Sequence, residues 1–211
     1  MKKYWTVFKK SLKSETIYRP AALAGIAGSL LGFFMQVFLW KALLGSGARQ
    51  DTSFSDMLLF IIINSFMLEL TRTNVAGIIE NSMIDGTISM ELLRPMSYKT
   101  FLLMNALGKN TYGTLTHAVP ILIISVFLIS GTPLPNLYHF ILFIMSAFLG
   151  ILLMFEVTYL AGLSAFWLQR CWFIEFYLMG FERIFGGTMV PIWFYPEWLK
   201  KMSFFLPFRY M

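Results

Sequence analysis

The chain has 211 residues, of which 57% are apolar, 18% aromatic and only 13% charged, with a formal net charge of +6. A soluble domain carries about 25% charged residues, and one of this length keeps too much surface in water to hide so many apolar side chains. The composition excludes an ordinary soluble enzyme and a disordered tail, and the single Cys171 excludes a disulfide scaffold. The basic excess reads as charge for a membrane surface, not for nucleic acid.

Residues 1–19 are polar and basic. On a helical wheel Tyr4, Trp5, Phe8 and Leu12 share one face, while Lys2, Lys3, Lys9, Lys10 and Lys13 take the other. That layout suits a helix lying in the headgroup layer, rings in the acyl boundary and lysines towards anionic lipid. The alternative is a solvated basic tail leading through Tyr18 and Arg19 into the membrane. The apolar run that follows is too long for a cleaved signal peptide and lacks a clear small-residue cleavage site.

About 20 apolar residues cross a bilayer as a helix, and five stretches qualify as spans. The first covers 21–44 and carries a Gly28–Gly32 pair, a weak signal for close helix approach. A polar loop with Gly45, Gly47, Arg49 and Asp51 follows. The second span is expected from about Met57 to Ile79, and the third over about 106–130, with Pro120 inside it and Lys109 near its start. Gly131, Pro133, Pro135 and Asn136 punctuate a turn. The fourth span covers roughly 138–167 and the fifth about 171–189. The closing stretch, 186–208, is too aromatic and proline-broken for a straightforward crossing.

The positive-inside rule sets the orientation. With the N-terminus in the cytoplasm, the basic residues up to Arg19 fall inside together with Arg72, Arg94, Lys99, Lys109 and Arg170. Lys41, Arg49, Arg183, Lys200, Lys201 and Arg209 fall outside. The inverted topology reverses that imbalance.

An ionisable group in a span costs roughly 2.5–3.5 kcal/mol on insertion scales, so each needs a partner or a wet cavity. Glu69 and Arg72, three residues apart, either pair with each other or line a transport path. Glu156 has no charged neighbour on its own helix and must look across the bundle, as a structural hydrogen-bond partner or as a proton or cation site. Glu175 and Glu182 lie two turns apart on one face and are expected, with Arg183, at the outer mouth. No H-E-x-x-H, phosphate loop, serine elbow or cysteine pair occurs, and His117 and His139 lack ligand spacing, so no catalytic or metal residue is assigned.

The polar interlude 80–100 holds Ile84, Ile88 and Leu92 at four-residue spacing, with Asp85, Glu91 and Arg94 beside them. This spacing predicts one short amphipathic helix, ended by Pro95. It either docks a soluble partner or lies on the membrane surface. The segment IIENSMIDGTISMELLRPMSY resembles a pattern found after the second span of bacterial type-2 ABC transporter permeases: an acidic residue and Gly, then Leu-Leu-Arg-Pro-x-Ser. FGGTMVPIWFYPEWLKKMSFFLPFRYM is similar to the late segment of that family, with its Val-Pro, Phe-x-Pro-x-Trp-Leu and Leu-Pro-Phe elements.

The resemblance extends over essentially the whole chain. It implies an all-α polytopic permease domain, 1–211, in the cytoplasmic (inner) membrane. Such a subunit pairs with an identical or related permease and with two ATPase subunits that hold ATP and Mg. It further implies an interfacial helix at 1–19 and a coupling segment at 80–100. The 186–208 stretch would be an outward-facing re-entrant cap, broken at Pro191, Pro196 and Pro207, with Trp198 at the interface. Such permeases have six spans, so the last is expected to be missing from this chain. A membrane-embedded lipid-modifying enzyme using Glu156 or the fifth-segment glutamates is an alternative to the exporter reading, as is a scaffold or channel without ATPase partners.

Overall fold

The computed structural model describes residues 2–17, 19–45, 53–128 and 136–210, all of them helical or connecting. Tyr18, the loop residues Gly47, Arg49 and Asp51, and Gly131, Pro133 and Pro135 of the expected turn lie outside the described residues.

Among the described residues, three runs are long and apolar enough to cross a membrane: Ala22–Gly45, Phe54–Ile84 and Leu137–Leu168. The first lies in α2 (Arg19–Gly45), which follows α1 (Lys2–Glu15). The second departs from the expected unbroken helix. It is α3 (Phe54–Thr71), a non-helical Arg72–Asn74, and then α4 (Val75–Ile84). Breaking a helix strands backbone groups that must find new partners. Asn110 Nδ2 donates to the Leu70 carbonyl at 2.6 Å, and Thr73 Oγ1 donates to Thr158 Oγ1 at 3.0 Å. Polar side chains on neighbouring helices therefore hold the break.

After α4 come α5 (Ile88–Leu92) and α6 (Tyr98–Gly113), then a π-helical turn at Thr114–Ala118 and α7 (Val119–Leu128). The helix begins at Tyr98, eight residues before the expected third span. Pro120 lacks an N–H and crowds the preceding turn, and the widened π turn directly before α7 absorbs that mismatch. The third apolar run is α8 (Leu137–Leu163), Ser164 and α9 (Ala165–Leu168), close to the expected fourth span. Gln169, at φ 61°, then reverses the chain into α10 (Trp172–Phe185).

Each proline of the closing stretch precedes a new short piece. Pro191 precedes Ile192–Phe194, Pro196 precedes α11 (Glu197–Phe205), and Pro207 opens Pro207–Tyr210. A proline suits a helix start because the N–H it lacks has no helical partner there anyway.

Packing differs along the bundle. Far from α5, bulky side chains fill the core between α2, α3 and α7: Phe33, Val37, Trp40, Met57, Ile61 and Ile121 are buried together. Trp40 lies tilted against Phe194 and Phe60 meets Trp193 edge-on, both at 5.2 Å, seating the closing stretch on this core. Towards α5, Val75, Ile79, Leu102 and Phe155 are buried together, and beside them the small Ala76, Ala161, Ala165 and Cys171 form a second cluster. A side chain on Gly162 would put its Cβ 2.9 Å from the Ala76 Cα, so α4 and α8 touch almost backbone to backbone.

Candidate functional site

The interlude forms a tip at one end of the molecule. Ile84, Ile88 and Leu92 do not share one helix, contrary to the spacing argument. Gly86, at φ 69°, ends α4 in a left-handed turn, and α5 starts afresh at Ile88. As a result Ile84, Met90, Leu92 and Leu93 are exposed, Met90 at 72% and Leu93 at 84%, while Ile88 is half-buried. The charges divide. Asp85 faces solvent; Glu91 turns inward and accepts from Ser82 Oγ at 3.2 Å; Arg94 lies over the Phe101 ring at 5.2 Å.

The N-terminal helix reaches the tip. Its Tyr4 hydroxyl accepts from the Ser97 N–H at 3.2 Å, and Ser11 donates to both the backbone and the side-chain oxygen of Asn105. Part of the face carrying Tyr4, Phe8 and Leu12 thus packs on α6. Trp5, stacked on Phe8 with Lys9 above it, stays exposed, as do Lys10 and Lys13.

A second feature lies where α3 is broken. A cavity of about 900 Å³ opens between α2, the α3–α4 break, α6 and α10. Glu69 sits at its wall, 18% exposed, within 3.8 Å of Arg72 and 3.2 Å of His117 Nδ1. The π turn places that imidazole. Arg72 itself is 72% exposed, held by one long contact. Lys109 reaches Glu15 of α1 at 3.7 Å beside the same cavity.

Glu175 and Glu182 part company. Glu175, in the first turn of α10, lines the cavity against the start of α4, near Gly77, and its Oε1 is enclosed without a hydrogen-bond partner. Two helical turns separate the two carboxylates by about 10 Å along the axis. Glu182 remains a half-buried group of the last turns of α10. Glu156 pairs across the bundle with Lys99 at 2.7 Å, both side chains nearly half exposed.

In the closing stretch Pro191 is fully buried and Trp198 is exposed. Asn64 Nδ2 ties the stretch to α3 by donating to the Thr188 carbonyl at 2.8 Å, and the Tyr195 hydroxyl donates to the Ile184 carbonyl.

Several residues in these contacts carried no motif. Glu80 is buried and accepts from both the N–H and the thiol of Cys171, at 3.0 and 3.3 Å. Asn64 and Asn110 could be suspected only as polar residues within apolar helices, and His117 only through the glutamate that tertiary packing brings to it.

The profile of the ABC-2 family transporter proteins matches residues 30–211, most of the chain. The chain belongs to the ABC-2 family. As an ABC-2 protein it is a multi-pass membrane component of an ABC transporter, a class that works with an ATP-binding subunit. No curated protein and no solved structure matches it. In this ABC-2 chain both regions just described fall within the matched residues, apart from the contributions of α1 and the start of α2.

Proposed function

We propose that the chain is the permease subunit of an ATP-driven exporter in the cytoplasmic membrane, with α1 and α5 on the cytoplasmic side. Its five spans are α2, α3 with α4, α6 with α7, α8 with α9, and α10. The stretch 186–208 caps the outward side. The subunit forms half of a translocation path, the other half coming from an identical or related permease, and two cytoplasmic ATPase subunits supply ATP hydrolysis.

Helix lengths support this arrangement. The 18 residues of α3 cover about 27 Å, nearly the whole hydrocarbon core of about 30 Å. The break at 72–74 then lies near the inner headgroup level, and α4 projects about 15 Å further. Glu156, 20 residues into α8, comes about 30 Å from its start, so its pair with Lys99 belongs to the same projecting stub.

The observation that carries the reading is the tip of that stub. Met90, Leu92 and Leu93 stand out from a short helix whose Glu91 and Arg94 are turned back onto the protein. Exposed apolar groups on a rigidly tied tip suit a groove on a soluble partner. An ATPase seated there moves α4 and α6 directly, because Ser82 and Phe101 are the residues that hold Glu91 and Arg94.

The test is co-purification in mild detergent from the native membrane. The wild-type chain is expected to bring down an ATP-hydrolysing subunit, and Leu93→Asp is expected to lose it while inserting normally. A chain that never recovers an ATPase, or a Leu93→Asp variant that recovers it fully, overturns the coupling assignment.

A further inference from the structure

The cavity at the helix break presents two chemistries side by side. Its accessible charge is positive. Arg72 has five N–H donors and spends them on one contact of 3.8 Å, with 72% of its side chain open. Lys109 is 42% exposed and 3.7 Å from its partner Glu15. Of the acids, Glu69 is 82% covered and already faces Arg72 and His117, and the Oε1 atom of Glu175 is enclosed. Glu15, 39% exposed, offers an open carboxylate, but it lies by Lys109, and Glu175 beyond its enclosed atom is half-buried.

Opposite, α10 supplies an apolar wall. Trp172, Phe176 and Met179 recur at i, i+4 and i+7, line the cavity, and are 61%, 68% and 43% exposed. That spacing keeps them on one helical face. The volume, about 900 Å³, suits a drug-sized or lipid-sized ligand.

We propose that this cavity binds an anionic amphiphile, its phosphate or carboxylate head on Arg72 and Lys109 and its tail along Trp172, Phe176 and Met179. The proposal rests on the permease reading, which puts the break at the level of the inner headgroups, and it names the class of cargo. Guanidinium is suited to such heads because its planar fork matches a carboxylate or phosphate in two parallel hydrogen bonds. The Glu69 contact holds the guanidinium without satisfying it. A helix broken at this depth is tolerated where it lines a cavity, and discontinuous membrane helices frequently build substrate sites. A cationic cargo would have Arg72, the most exposed of these charges, against it.

The test uses the full chain in nanodiscs of phosphatidylcholine, with dodecyl phosphate and dodecyltrimethylammonium as probes and equilibrium binding as the readout. Dodecyl phosphate is expected to bind saturably, at least about tenfold tighter than the cation. Arg72→Gln is expected to weaken it about tenfold, Lys109→Gln about threefold, and Arg72→Lys less than Arg72→Gln. Gel filtration shows whether each variant is folded, and Lys109→Gln keeps the test decisive if Arg72→Gln is not.

Competition by phosphatidylglycerol in the disc identifies a lipid of the leaflet as the source. Competition only by single-chain phosphates identifies a free amphiphile. Either result upholds the site. Equal binding of the cation, or folded Arg72→Gln and Lys109→Gln variants that bind as wild type, overturns it. Loss of ATPase co-purification would instead strike the permease reading, because binding here needs no ATPase.

Discussion

The runs Phe54–Ile84 and Leu137–Leu168 are nearly equal in length, 31 and 32 residues, yet they do different work. The second stays helical as far as Leu163, is the more hydropathic, and turns Phe140, Phe148 and Leu149 outward. The first opens at Arg72–Asn74 and gives up helical backbone to make a cavity with charged groups in its wall. Helix α8 can be smooth because its one charge, Glu156, finds Lys99 near the tip. Helix α3 is broken where Glu69, Arg72 and the residues beside them need partners from α6 and the π turn. A membrane protein can therefore keep one run as scaffold and use its neighbour for chemistry.

The largest effect is expected where the two runs meet. Gly162→Leu places carbon where a Cβ already stands 2.7 Å from Ile79 Cδ1 and 2.9 Å from the Ala76 Cα. The backbone atom cannot yield, so α4 must move off α8 at a cost of about 3 kcal/mol. Thermal unfolding in detergent should show a marked fall in midpoint. An unchanged midpoint would mean that the scaffold does not seat the broken run.

Asn110→Leu tests the break itself. It removes the 2.6 Å bond to the Leu70 carbonyl and leaves that half-buried group without its partner, at a cost of about 1–3 kcal/mol. Hydrogen exchange should rise in residues around 70–74 while α8 keeps its protection. Equal loosening of both runs would deny that the break is separately held.

The smallest effect is expected on the scaffold. Glu156→Gln loses an ion pair whose side chains are 44% and 47% exposed, so water screens most of it. Stability should change by less than about 0.5 kcal/mol. Transport activity should survive as well, and its loss would return Glu156 to the role of an intramembrane acid.

Local signals carried much of this architecture. The apolar runs 21–44 and 138–167 match α2 and α8 with α9 closely, because a helix that must face lipid is apolar all round and any window reveals it. Pro191, Pro196 and Pro207 marked the breaks of the closing stretch, since a missing N–H acts wherever the residue stands. The break in the second run was invisible. Arg72, Thr73 and Asn74 include no glycine or proline; Asn110 takes up the Leu70 carbonyl beside the break, and Thr158 holds the Thr73 side chain.

The tip shows the same division. Asp85-Gly86 and Leu93-Arg94-Pro95 could be read as punctuation, but four-residue spacing joined Ile84 to Ile88 across a turn that Gly86 puts between them. Met90 and Leu93, the most exposed apolar groups there, gave no periodic signal.

The sequence by itself determined that this is an all-helical membrane protein, where its long helices run, and the motifs by which its family resemblance is read. Those properties follow from composition, from apolar run length and from residues whose backbone effects are local. Only the tertiary structure decided which polar groups meet: Glu156 with Lys99, Glu69 with His117, Glu80 with Cys171. These partners are 48 to 91 residues apart along the chain. Pairing across such distances is set by how helices pack, and the burial and hydrogen bonding that fix it are properties of the assembled bundle.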